Sequence, residues 1–305
     1  MALIPGLCTH RNQAAGRRIT IAPNTKSNKS GGREPEKTGS AGAANQIGAG
    51  IRIENLTASV GRGARRNRVL HDISCECPPG AVTALIGPSG SGKSTLLRQI
   101  NGLIAPERGR IFVGGRAVEP ADREGVIALR RRIGYAVQNS ALFPHMSVRE
   151  NITLLARYLE AAPDGDWSAT RTEERLTRLM EMMRLPLEYQ SRYPYELSGG
   201  EQQRVGLCRA MFAEPAVLLL DEPFGALDPV TRREIHAEFR ALRAAEPVTV
   251  VLVTHDLNEA LELGDRLIVL NAGRIAQQAA PRDVLDAPAD DFVREFLHRQ
   301  LEGGR

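Results

Sequence analysis

Residues 81–95 read AVTALIGPSGSGKST, and the fold turns on this stretch. An apolar run from Ala81 to Ile86 leads directly into a glycine-rich loop, and a helical segment is expected at Ser94–Ile100. The loop Gly87 to Ser94 fits G-x-x-x-x-G-K-[ST] at a strand-to-helix junction, a spacing whose backbone N–H groups can cradle phosphates. Gly87, Gly90 and Gly92 let backbone N–H groups wrap a triphosphate, and Pro88, Ser89, Ser91 and Thr95 complete the predicted cradle. Lys93 neutralises the β- and γ-phosphates, and the Ser94 hydroxyl coordinates Mg²⁺.

Such a loop needs a carboxylate at the end of a neighbouring strand to hold the magnesium shell. The run VLLLDE places Asp221 there, with Glu222 next in line to polarise the water that attacks the γ-phosphate. Two more polar residues end apolar strands: Gln138 after RIGYAV and His255 after VTVVLVT. The carboxyl ends of strands are where open α/β sheets bind ligands. His255 is expected to donate a hydrogen bond to the γ-phosphate, and Gln138 to contact Mg²⁺ or the attacking water.

A second anion site is written into ELSGGEQQRVGL, Glu196 to Leu207. Ser198 followed by Glu201 is a capping box. Gly199 and Gly200 each cost the helix about 1 kcal/mol relative to alanine. They also leave first-turn N–H groups open to an anion.

From Ile51 onward, β-rich runs alternate with helices. IRIENLTA, VLHDISCEC, AVTALIG, RIGYAV, VLLLD, VTVVLVT and RLIVL read as strands, which indicates an α/β fold with a mostly parallel sheet. Between Asn139 and Glu196 the pattern is helical. Thr170 with Glu173 reads as a capping box, and Leu176, Leu179, Met180 and Met183 then share one face. The methionine stripe is expected to be core. The expected division is a basic tail at 1–48, an α/β domain at 49–281 with a helical insertion near 139–200, and a helical extension at 282–305. The tail, rich in Gly, Ser, Asn, Lys and Pro, is expected to be disordered.

Composition excludes several classes. With 42% hydrophobic and 25% charged residues, the 305-residue chain is ordinary for a globular protein. Residues 1–50 hold seven Lys and Arg against Glu34 and Glu36, so the net charge of +4 leaves the remainder slightly acidic. A fold of that charge lacks the concentrated basic face that nucleic-acid binding needs. No apolar run approaches the ~20 residues of a transmembrane helix, and the start MALIPGLCTHRNQ lacks a charged n-region. Of Cys8, Cys75, Cys77 and Cys208, the pair Cys75 and Cys77 has no second pair to complete a zinc site.

GPSGSGKS, Gln138, LSGGEQQR, VLLLDEP, ALD at 226–228 and His255, in that order, resemble the ATP-binding subunit of ABC transporters. The resemblance covers about residues 51–280. It implies a P-loop core with an antiparallel β subdomain and an inserted helical subdomain, ATP and Mg²⁺ as ligands, and two copies clamping two ATP molecules head to tail. Leu197, Ser198, Gly199, Gly200 and Glu201 would then meet the γ-phosphate held by the other copy, with Asp228 at the interface. Members of the family usually place an aromatic ring over adenine shortly after the first strand. Aligning NLTASVG puts Val60 there, so either adenine stacking is weak or packing on Val60 suffices, and the resemblance implies selectivity for ATP over GTP less firmly than it implies hydrolysis.

RYPYELSGG and ALFPHMSVREN resemble bacterial importers, and LGDRLIVLNAGRIAQ with PRDVLDAPADDFVREFL is similar to quaternary-amine uptake ATPases. The implied partners are a second copy, membrane permease subunits and, indirectly, a solute-binding protein, at the cytoplasmic face of the cell membrane. No nucleic-acid partner is expected. The cargo alternatives are methionine, a polyamine, a sulfonate or nitrate. A soluble ABC ATPase of DNA repair or translation is the rival class, but the long coiled-coil insertion or second motif set of such proteins is missing.

Overall fold

Three strands, β3 (Val82–Ile86), β7 (Val217–Asp221) and β8 (Thr249–Val253), are buried at every position. That is the signature of strands covered on both faces, and it explains their uninterrupted Val, Leu and Ile content. With β6 (Ile133–Ala136), β9 (Arg266–Asn271) and β10 (Arg274–Ala279) they form a six-stranded sheet in the order β10-β9-β3-β8-β7-β6. All its pairings are parallel except that of β10 with β9. A second, antiparallel sheet has the order β2-β1-β4-β5, from β1 (Ile51–Val60), β2 (Asn67–Cys77), β4 (Arg108–Val113) and β5 (Arg116–Ala117). The computed structural model describes residues 48–61, 66–137, 141–160 and 167–302, all within one compact unit, Ala43–Arg305.

The helix α1 (Lys93–Ile100) lies between the two sheets. Its Leu96, Leu97 and Ile100 share a core with Ile53, Leu70 and Ile73 of the antiparallel sheet and with Leu219 and Val251 of the parallel one. The short α2 (Arg123–Arg131) then leads into β6. Between β6 and β7 the described chain is helical: α3 (Val148–Ile152), α4 (Ala156–Glu160), α5 (Ala169–Met182) and α6 (Gly199–Met211). Leu176, Leu179, Met180 and Met183 are fully buried, as the stripe predicts. The helix cap is a correction. Ser168, not Thr170, accepts from the N–H of Arg171, because Trp167 packs on Phe212 with ring centroids 5.1 Å apart and sets the helix entry earlier. Glu173 instead pairs with Arg149.

Arg175 of α5, 6% exposed, ties that helix to the C-terminal ends of α6 and α7. Its guanidinium donates to the carbonyls of Phe212 and Met211 and to the Glu246 carboxylate. Glu246 closes α7 (Pro229–Ala245). Beyond β8 come α8 (Leu257–Leu263), α9 (Pro281–Asp286) and α10 (Asp291–Glu302). Val284, Val293 and Leu297 of the last two helices cover Ala84, Leu267 and Val269 on the outer face of the parallel sheet. No helix among the described residues is long and apolar enough to cross a membrane.

Asn151, fully buried, organises the loop ahead of α3. Its Oδ1 accepts from Phe143 N at 2.8 Å, and its Nδ2 faces the carbonyls of Phe143, Met146 and Ser147 at 3.0–3.1 Å. Asn151→Ala removes the hub of this turn and is expected to lower stability by about 1–3 kcal/mol. Denaturant titration measures the loss, and hydrogen exchange should quicken across 142–150 while the β7 and β8 amides stay protected.

Candidate active site

The phosphate loop is held from both sides. Gly87 has φ +149°, and a Cβ there would lie 2.1 Å from the Leu270 carbonyl oxygen at the end of β9. Gly92 caps α1 with φ +102°, and a Cβ there would sit 2.5 Å from Leu70 Cδ2 of β2. The β9–β10 turn clamps the loop further, since Gly273 N donates to Ser91 O while Gly273 O accepts from His71 N. The Lys93 ammonium donates to Gly87 O at 2.7 Å and Pro88 O at 2.9 Å, so it lies along the loop interior. Beside it opens a cleft of about 410 Å³ lined by Val69, Ser89, Gly90, Thr95, Glu222 and His255, among others.

The strand ends deliver the acidic groups to the same place. Val253 of β8 pairs with Leu85 of β3 on one side and Asp221 of β7 on the other, so the three strands finish level. Ser94 Oγ donates to Asp221 Oδ1 at 2.8 Å. Burial raises the Asp221 pKa, opposed by the Ser94 hydrogen bond and by Arg98. Burial lowers that of Lys93, opposed by Glu222 and Asp221. A hydroxyl and a carboxylate in contact are the hard oxygens Mg²⁺ prefers, and Mg²⁺ needs only one or two protein groups because water and phosphates complete its shell. The two residues therefore fit the ion.

Glu222 sits at φ +49°, with its N–H donating to Val253 O at 2.9 Å. That left-handed turn throws its side chain back toward His255, whose Nδ1 lies 3.3 Å from Glu222 Oε2. Gln138 lies outside the described residues. Val60 is 41% exposed at the end of β1, and Val69 of the paired strand lines the phosphate-loop cleft. Val69 escaped the sequence reading because an aliphatic residue inside a strand carries no chemical signature. Only its position opposite the hairpin end could have flagged it.

The residues of the second predicted anion site lie apart from this cleft. Ser198 and Glu201 form the capping box: Ser198 N donates to Glu201 Oε2 at 2.7 Å and Glu201 N to Ser198 Oγ at 3.3 Å. Burial works against the Glu201 charge, yet the hydrogen bonds from Ser198 hold its carboxyl below the usual range. The two glycines do different work. A Cβ on Gly199 would meet nothing within 4 Å, whereas one on Gly200 would strike Thr231 Cγ2 at 2.6 Å, so Gly200 lets α6 approach α7. Leu197 is buried, and Asp228 caps α7 by accepting from Val230 N and Thr231 N. A small cleft of about 130 Å³ between Gly199 and Gln203 of α6 and Glu222 to Leu227 joins the two regions.

With this geometry in hand, comparison with known proteins identifies the class. Residues 70–225 match the family described as ABC transporter, and the chain belongs to that family. It is 41% identical over 250 residues to a choline transport ATP-binding protein of Bacillus subtilis, covering 82% of this chain and 62% of that protein. It is 43% identical over 238 residues to a glycine betaine uptake system ATP-binding protein of Escherichia coli, covering 78% and 74%. Thus the chain spans about three fifths of the length of the Bacillus relative. A dimeric ATP-binding cassette solved in a post-hydrolysis state with ADP and Pi matches with a TM-score of 0.68 at 30% identity, covering 76% of this chain and 99% of that one.

Gly87→Ala tests the clamp on the loop. The left-handed φ and the Leu270 contact together are expected to cost about 1–3 kcal/mol locally. Isothermal titration with MgATP should show affinity falling by about tenfold or more, the change that ~1.4 kcal/mol produces.

Proposed function

We propose that the chain is the ATP-hydrolysing subunit of an importer for a quaternary-amine osmoprotectant such as glycine betaine or choline. The convergence of Lys93, Ser94, Asp221, Glu222 and His255 at one level sheet edge carries the hydrolytic part of this reading. The cargo rests on the likeness to the choline and glycine betaine proteins.

The backbone N–H groups of Gly87–Thr95 and the Lys93 ammonium bind the β- and γ-phosphates of ATP. Ser94 and Asp221 would hold Mg²⁺, with Gln138 proposed as a further contact, and the bound ion would neutralise charge that develops on the phosphate oxygens. Glu222 accepts the proton of the attacking water as its oxygen bonds to the γ-phosphorus and the bond to the β-phosphate oxygen breaks. His255, with Nδ1 toward Glu222, offers its other ring nitrogen to a γ-phosphate oxygen. Leu197 to Glu201 of a second copy close on that phosphate, with Asp228 at the seam. ATP thus favours the closed pair through contacts that the open pair lacks. Membrane permease subunits receive the motion, and a solute-binding protein delivers cargo outside. The chain acts at the cytoplasmic face of the cell membrane.

Glu222→Gln is expected to keep MgATP affinity within about threefold while turnover falls by about 10²–10⁴-fold, as loss of a general base does. Size-exclusion chromatography of this variant should then show an ATP-dependent dimer. Val60→Tyr adds a stacking surface for the base, worth about 1–3 kcal/mol. It should tighten ATP more than GTP in a competition titration. Reconstituted with its permease and binding protein, the wild-type ATPase should accelerate on addition of glycine betaine. Silence with betaines and a response to another solute removes the cargo assignment alone.

A further inference from the structure

The segment that carries His255 is tied down by a carboxyl group that the hydrolytic scheme leaves unused. Glu259, on the first turn of α8, is only 4% exposed. Thr254 Oγ1 donates to Glu259 Oε2 at 2.8 Å and accepts from Asp256 N at 3.0 Å. The threonine hydroxyl therefore closes a turn around the His255 peptide, and Glu259 holds that hydroxyl in place. The flanks are fixed as well. Thr254 N donates to Leu85 O at the end of β3, and Asp256 Oδ1 accepts from the N–H groups of Asn258 and Glu259. Asp256 Oδ2 takes Arg232 of α7 at 2.9 Å. Within this brace the His255 imidazole is the side chain that projects, 59% exposed and 3.3 Å from Glu222.

We propose that Glu259 is a positioning residue for ATP hydrolysis: by fixing the Thr254 hydroxyl it aims His255 at Glu222 and the γ-phosphate. The proposal rests on the role given to His255 above. Burial makes the Thr254 bond matter, because a buried carboxyl group is costly unless it is hydrogen-bonded. Glu259 Oε1 has no hydrogen-bond partner among the described residues, so the Thr254 bond carries the contact.

Charge enters as a consequence. Burial pushes the Glu259 pKa from the usual carboxylate range to about 7; the Thr254 bond and Arg232 pull it down, and Asp256 and Glu222 push it up. A separate cleft of about 680 Å³ adjoins the carboxyl and His255, and further charged groups line it: Arg233 and His236 from α7, Glu262 from α8, and Arg299 from α10. Because the folded pKa is raised, the stabilisation tied to the proton is present at low pH and lost as pH rises through about 7. Above that point a buried negative charge faces Asp256 and Glu222, and its cost falls on the segment that carries His255 even though the Thr254 bond it accepts is then stronger.

The test uses the full chain and compares Glu259→Gln, Glu259→Ala, Thr254→Val, the Glu259→Ala/Thr254→Val double variant and His255→Ala. Steady-state kinetics from pH 6 to 9 are read beside MgATP affinity. Glu259→Ala should lower kcat by about tenfold or more while MgATP affinity stays within about threefold, the split that marks loss of an interaction made in the transition state. Glu259→Gln keeps an acceptor for Thr254 and cannot ionise. It should retain kcat within about threefold and lose the alkaline fall expected of the wild type near pH 7. The double variant should be no worse than either single one, since coupled residues fail additivity. Normal kcat in Glu259→Ala, an unchanged pH profile in Glu259→Gln, or additive losses overturn the proposal. If Glu259→Ala does not fold, the Glu259→Gln profile decides. His255→Ala separates the two readings: normal turnover there overturns the role of His255, whereas an inactive His255→Ala beside a normal Glu259→Ala overturns Glu259 alone.

Discussion

Parallel pairing in register is the constraint on which the site depends. Val253 stands opposite Leu85 and Asp221 at once, so the chain leaves β3, β7 and β8 at one level. A one-residue slip of β7 would turn every side chain of that strand to the opposite face. Leu218 and Leu220 would exchange cores with Leu219, and Asp221 would face away from Ser94. The hydrophobic pattern that covers both faces of the sheet is therefore also what delivers the carboxylate. Stability and chemistry share one register.

The cleft concentrates opposed charges at the cost of comfortable ionisation. Burial works against charge on both Asp221 and Lys93, and each is partly sustained by the other. Such a pair is costly to bury without partners. Ser94 and the carbonyls of Gly87 and Pro88 supply those partners through short hydrogen bonds. The same atoms are positioned for a triphosphate and its cation, so the ground-state satisfaction of the cleft and its binding capacity use one set of groups.

The placement of these residues is legible from sequence wherever residue type and spacing carry it. Gly87–Ser94, Asp221, Glu222, Ser198 with Glu201, and His255 stand at strand ends or helix starts because those are where backbone groups and side chains reach a ligand. Legibility failed where packing decided. Thr170 and Glu173 have the letters of a capping box, but Trp167 on Phe212 moves the helix start to Ala169. The strands β5 and β10, at sheet edges, and β4, exposed at Arg108, Gly109 and Arg110, escape a sequence reading because few of their side chains are buried. Glu259 reads as an ordinary helical glutamate until the fold buries it behind His255.

Gly199 and Gly200 are adjacent letters with separate causes, and the difference bears on how the chain links its two anion-facing edges. Gly199 is open on the side where a Cβ would point, consistent with close approach by another molecule. Gly200 is required by Thr231, so the start of α6 is pressed onto the start of α7. The start of α7 is set by Asp228, which follows the turn Glu222–Leu227. Glu222 therefore lines the cleft of the phosphate loop with one side of its turn and the small cleft under Gly199 with the other. Displacing α6 along its axis acts directly on the start of α7, because Thr231 lies against Gly200. In this fold the start of α6, open at Gly199, and Glu222, the proposed acceptor of the water proton, line one small cleft.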